Sequence, residues 1–149
     1  MASSEGKPVI IPDVNILVHA HRREGTQHDI CKAVFDRALI DGDAILLATA
    51  TVNGFLRLVT HPTVFKSPTP LDLALATIDH WLRLPGAGWA APGGKHWNIL
   101  RDLCQRHHAQ GNAIYDLHLA ALAMEHRAEL WSLDEDFSRI AGLRWRKPS

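Results

Sequence analysis

Apolar residues along this chain fall into short, dense runs that alternate with longer stretches in which apolar positions recur every three or four residues. The dense runs are residues 8–12 (PVIIP), 44–48 (AILLA) and 129–133 (ELWSL), with weaker ones at 88–91 and 142–145. Runs this short, rich in Val, Ile and Leu and bounded by turn residues, predict strands buried on both faces. Between them, Ile30, Val34, Ala38 and Leu39 predict a helix over 27–40, ended by Asp41-Gly42-Asp43. Residues 16–20 extend the first strand into a helical turn, and 52–60 read as a helix for which Thr49 or Thr51 is the cap. A stiff loop with Pro62, Pro68 and Pro70 leads to a helix over 71–84, whose stripe is Leu71, Ala74, Leu75, Ile78, Trp81 and Leu82. Trp97, Leu100, Leu103 and Cys104 predict another over 95–108, and Gly111 separates it from a long helix opening at Asn112. Strands alternating with helices predict a three-layer α/β/α fold with a mostly parallel central sheet.

Composition narrows this only a little. At 149 residues the chain is one domain's worth. Residues 1–7 read as a small, polar, disordered tail and 8–148 as the folded domain. Lys plus Arg equals Asp plus Glu at 16 each, so bulk charge does not drive polyanion binding, and basic contacts must be local. No apolar run approaches the roughly 18 residues of a membrane span, and the first residues lack the apolar centre of a signal peptide. A cytoplasmic protein without a membrane association is expected. Cys31 and Cys104 are too few and too far apart for a disulfide framework or a zinc knuckle, and read as packed thiols.

Acids stand where strands end. Asp13 follows the first dense run directly, and Asp134, Glu135 and Asp136 follow the run at 129–133. Asp116 falls near the start of the helix that opens at Asn112. In open α/β sheets the carboxyl ends of the strands form the ligand crevice, so acids delivered there from separate elements can meet around one small cation. Carboxylates are hard donors suited to Mg²⁺ or Mn²⁺. On a phosphodiester such an ion can activate water, orient the phosphate and neutralise the leaving oxygen. By spacing alone, the same acids read equally well as caps of helices and loops.

These residues resemble a known family. Asp13-Val14-Asn15, Gly54-Phe55-Leu56-Arg57 with Thr60-His61-Pro62, Asn112 with Tyr115-Asp116, and Ser132 through Phe137 followed by Gly142-Leu143 are together similar to PIN-domain ribonucleases, of the toxin kind found in bacterial VapBC pairs. The resemblance spans 8–148. It implies an endoribonuclease dependent on Mg²⁺ or Mn²⁺, dimeric, and neutralised by a cognate VapB-like antitoxin. It implies Asp13, Asp116 and Asp134 as catalytic metal ligands, with Asp136 an outer carboxylate. Asn15 and Ser132 become supporting residues that orient Asp13 and the water or substrate.

One departure stands out. The family usually places a Glu in the helix after the second strand, and this chain has Asn53-Gly54 there, with Gly54 in the Glu position. The alternative is therefore a degenerate PIN fold that binds RNA or an antitoxin without cutting. Arg57 is the candidate contact for RNA or antitoxin, alongside other scattered cations. Ten His do not make a zinc site, since none are spaced as HxxxH and His107-His108 point to different sides of a helix. His118 and His126 read as packed or surface residues, and Trp81, Trp89 and Trp97 as core or dimer surface. The GxSxG and GxGxxG signatures are absent.

Overall fold

The computed structural model describes residues 7–149, so the tail expected at 1–7 lies outside the described residues except for Lys7. Its strands are β1 (Val9–Pro12), β2 (Ala44–Leu47), β3 (Ala87–Trp89), β4 (Glu129–Trp131) and β5 (Trp145–Arg146). Its helices are α1 (Val14–His21), α2 (His28–Asp41), α3 (Thr49–Val59), α4 (Leu71–Leu82), α5 (His96–Arg106) and α6 (Asn112–Glu125). A 3-10 turn over Glu135–Arg139 follows β4.

Burial of both faces explains why β1 and β2 are apolar throughout. Ile10, Ile45 and Leu47 face a core shared with α1 to α4, whereas Ile11 and Leu130 face a second core with α5 and α6. The sheet has five strands in the order β3-β2-β1-β4-β5, and every pair is parallel. From β1 the chain first builds outward to β3, then crosses back to start β4 on the other side of β1. Right-handed crossovers in opposite directions put their helices on opposite faces. The chain therefore switches direction between β1 and β4, and the crevice of an open sheet opens at the carboxyl ends of such a pair. In register, Pro12 lies opposite Trp131, and the Asp13 amide donates to the Trp131 carbonyl at 2.8 Å, so Asp13 and Ser132 leave the sheet at the same level.

Several expected boundaries shift for local reasons. The turn expected at 16–20 is the eight-residue helix α1, since Asp13 caps it by accepting the Val14 amide at 2.7 Å. Helix α3 begins at Thr49 rather than 52, so neither Thr49 nor Thr51 caps it. Ala48 holds the cap position, and the Thr51 hydroxyl donates back to the Ala48 carbonyl at 3.0 Å. Strand β3 starts one residue earlier than expected because Gly86 lets the chain press on β2. A Cβ at Gly86 would meet the Asp43 carbonyl oxygen at 2.6 Å.

Helix α5 has no cap of its own. Glu125, at the end of α6, instead holds the turn that leads into it by accepting the Gly93 amide at 2.8 Å and the Lys95 amide at 3.0 Å. In α4 the buried line is Ala74, Ile78 and Trp81, while Leu71 and Leu75 stand 58% and 44% exposed on its shoulder. Trp81 stacks on Phe35 in the core, but Trp97 is 65% exposed, so the stripe read for α5 begins at Leu100.

Candidate active site

Asp13 is the most enclosed of the acids, only 5% exposed. Its carboxylate is fixed from two sides. Oδ1 accepts the Val14 amide at the start of α1, where the helix dipole favours negative charge, and Oδ2 accepts the Ser132 hydroxyl at 2.8 Å. Burial nevertheless outweighs these donors and pushes the Asp13 carboxyl above its ordinary range, with the Asp134 charge adding to the rise.

Ser132, fully buried, spends every hydrogen-bonding position it has. Besides donating to Asp13, its Oγ accepts Asn15 Nδ2 at 3.1 Å and the Asp134 amide at 3.0 Å. Asn15 closes the ring from the other end: its Oδ1 accepts the Leu133 amide at 3.2 Å. The side chains of Asn15 and Ser132 thus lock the start of α1 to the chain leaving β4, setting the distance between Asp13 and Asp134.

Asp134 caps the 3-10 turn by accepting the Asp136 amide at 2.9 Å. That turn was not expected from the sequence. It forms because a capping acid follows β4 directly, and Phe137 then anchors it in the second core. Asp116 arrives from across the crevice on α6. Its carboxyl is pushed up to about 6, first by burial and then by the charges of Asp13, Asp134 and Asp136. All four sequence-predicted acids are therefore close enough to feel one another. Among the described residues Asp13, Asp116 and Asp134 enter no salt bridge, and Asp136 has only a loose pair with Arg139 at 3.9 Å.

Two clefts border Asp116. One, of about 460 Å³, is lined by Asn53, Gly54 and Arg57 of α3 and by Asn112, Tyr115 and Asp116 of α6. The other, of about 220 Å³, opens between Asp116 and Asp136. Arg57 thus shares a cleft with Asp116, although they are far apart in sequence. No acid from α3 reaches that cleft, and Gly54 packs so closely that a Cβ there would lie 3.1 Å from Val14 Cγ2. Tyr115 was not singled out as a site residue. Its phenol is pushed up to about 12 by burial and the neighbouring Asp13 and Asp116, with Arg57 opposing, so it stays a neutral donor. Its adjacency to Asp116 in sequence was the available signal.

Hard oxygen donors with unneutralised charge suit a small divalent cation. Among the described residues no three His, Cys, Asp or Glu side chains form a ready-made group that could hold a metal ion. Mg²⁺ differs from zinc in binding through one or two carboxylates while keeping several waters, so an open arrangement of acids fits it. The two His on α6 and at its end are engaged elsewhere: His118 pairs with His96 at 3.1 Å, and His126 bonds the Ala91 carbonyl at 2.8 Å. Cys31 is buried and its thiol is pushed up to about 11, as a packed, inert thiol should be.

A parallel α/β/α sandwich with acids gathered at the switch between β1 and β4 is the architecture of PIN domains, and the PIN-domain pattern matches residues 10–143; the chain belongs to that family. Within it, the sequence is similar to VapC ribonucleases. It is 39% identical over 136 residues to ribonuclease VapC43 of Mycobacterium tuberculosis, covering 91% of this chain and 92% of that protein. To ribonuclease VapC37 of the same species it is 35% identical over 138 residues, covering 93% and 96%. Among solved structures the fold matches VapBC2 from Rickettsia felis bound to a promoter DNA fragment, with a TM-score of 0.67 at 17% identity over 95% of this chain and 99% of that one. It also matches VapC20 of M. tuberculosis, a Sarcin-Ricin loop cleaving toxin, with a TM-score of 0.60 at 14% identity over 90% and 95%. At those identities the likeness concerns the fold alone.

Proposed function

We propose that this protein is a metal-dependent endoribonuclease toxin of the VapC kind, which cleaves RNA phosphodiester bonds at Asp13, Asp116 and Asp134 and is neutralised by a VapB-like antitoxin. The observation that carries this reading is the Asp116 carboxyl. It is raised to about 6 among three further acids at the mouth of the sheet, with no cation among the described residues paired to Asp13, Asp116 or Asp134. Charge left uncompensated in this way is stable only if something else compensates it. Mg²⁺, or Mn²⁺ in its place, would be held by Asp13, Asp116 and Asp134, with Asp136 outside them, and supplies charge neutralisation and an acidified attacking water.

The chain's own residues do the rest. Ser132 and Asn15 hold Asp13 in one orientation, so the reacting group meets a preset oxygen. Arg57 offers a cation to a backbone phosphate in the larger cleft, and the neutral Tyr115 phenol beside it offers a donor. The VapC relatives support the ribonuclease reading, and with it the antitoxin partner that a toxin of this kind requires. A homodimer and a cytoplasmic location complete the proposal; no helix among the described residues is long and apolar enough to cross a membrane.

The absence of an acid from α3 favours one rival, a degenerate PIN fold that binds without cutting. Antitoxin-free protein is offered a pool of structured RNAs with Mg²⁺, with Mn²⁺ and with chelator, beside Asp116→Asn. Cleavage that needs both metal and Asp116 is the expected result. Folded protein that cuts nothing in either metal would leave the binding-only reading in its place.

A further inference from the structure

The smaller cleft beside Asp116 is built differently from the larger one. Its floor is apolar, made by the edges that Leu117 of α6 and Ile140 after the 3-10 turn leave open, with Phe137 buried behind them in the core. Its rim carries two exposed basic side chains, His107 at the end of α5 and Arg139 in the turn. Asp116 and Asp136 form the wall towards the acids. Among the described residues Arg139 has just one ion pair, the loose contact with Asp136 at 3.9 Å, which can be exchanged for a phosphate.

A formally neutral chain with four acids around its crevice can admit a polyanion only where local cations offset them. The two clefts that share Asp116 each contain an arginine, Arg57 in one and Arg139 in the other. A strand of RNA crossing Asp116 would therefore find a cation on each side of the bond to be cut. About 220 Å³ lies below the usual range for a drug-sized ligand, roughly 300 Å³ and above. It suits one unpaired base laid on an apolar surface, the way single-stranded RNA is commonly read.

We propose that this cleft seats the nucleotide adjoining the scissile phosphodiester, its base against the open edges of Leu117 and Ile140, its phosphate on Arg139, and His107 at the base edge. The assignment rests on the RNA-cleaving reading above and adds to it the residues that choose where along a single strand the cut falls.

The test uses antitoxin-free full chain and short fluorescent single-stranded RNAs of mixed sequence. Affinity is read by anisotropy in chelator, and cut positions are read in Mn²⁺. Ala113 is exposed and lines the cleft, so Ala113→Trp fills it without touching the core. This variant is expected to bind about tenfold more weakly and to redistribute the remaining cuts, with an unchanged melting curve. Arg139→Ala is expected to flatten the plot of log affinity against log salt by about 0.7, and Arg139→Lys to restore that slope. Wild-type protein that binds and cuts while Ala113→Trp keeps its affinity and cut positions would overturn the base seat. An unchanged salt slope in Arg139→Ala would overturn the phosphate contact. RNA bound without being cut sinks the nuclease reading alone and leaves the cleft to be judged by anisotropy; a wild type that neither binds nor cuts sinks both.

Discussion

The Ser132 hydroxyl donates to Asp13 Oδ2 at 2.8 Å across the gap between β4 and β1, from residues 119 positions apart in sequence. Among the described residues it is the one side-chain donor at normal hydrogen-bond length to a nearly buried carboxylate, since Asn15 Nδ2 reaches the same oxygen at 3.5 Å. Ser132→Ala leaves that oxygen without a full partner and also strands the Asp134 amide. We expect the variant to lose about 1–3 kcal/mol of stability in denaturant melts. Cleavage in Mg²⁺ should fall about 10–100-fold, as when a residue orienting a ligand is removed. Unchanged activity would mean that Asp13 needs no such support.

Asp116→Asn should do the opposite to stability. The wild-type carboxyl has its pKa raised from 3.8 to about 6. Between those values the unfolded chain ionises while the folded one resists, so metal-free protein loses stability as pH rises and the deficit is complete above about 6. Discounted for solvent screening, the Asn variant should be more stable than wild type by about 1 kcal/mol at pH 7, with a flatter stability profile through that window. It should also cut no RNA. Chemical melts of both proteins in chelator across this pH range check the sign.

Restoring an acid in α3 is a direct test of what Gly54 costs. Because the new Cβ would press on Val14 Cγ2 at 3.1 Å, Gly54→Glu is best made together with Val14→Ala. Calorimetry should then give Mn²⁺ binding roughly tenfold tighter than in Val14→Ala alone, through the added carboxylate. Equal affinities would place the new side chain outside the crevice.

Glu125 ties the second face together by holding the turn before α5 from the end of α6. Its carboxyl is held below the ordinary range by the Gly93 and Lys95 amides. That support is present above the unfolded value of 4.5 and fades as pH falls through the folded one. Glu125→Ala should lower the melting temperature at pH 7 and speed amide exchange in the first turn of α5, and the difference from wild type should shrink in acid.

Much of this architecture is legible one residue at a time. The dense run ending at Pro12 and the one beginning at Glu129 read as strands with both faces covered, the pattern of a parallel sheet, and their parallel pairing brings Asp13 and Asp134 to the same edge. Asn15 and Ser132 were readable through their place in a family pattern, and the hydrogen bonds between them supply the physical reason. The shared corner of Arg57 and Asp116 was not readable, because it depends on how α3 and α6 approach each other from opposite faces of the sheet.

Local pattern therefore decides whatever depends on a few neighbouring residues: strand or helix, the cap at Asp13, the stop after a helix. Packing decides whatever depends on burial and on separations across the sheet. The Asp116 carboxyl is raised because burial and three acids from two other segments, Asp13 after β1 and Asp134 and Asp136 at the turn after β4, act on it, and Glu125 holds a turn that lies before it in the chain. Leu71 and Leu75 read as core by periodicity yet stand exposed, since a stripe states which residues share a face and only the neighbouring elements state how far that face is covered. The cleft between His107 and Arg139 is of the same kind: its floor and rim come from α5, α6 and a turn, and it exists only once the second core has drawn them together.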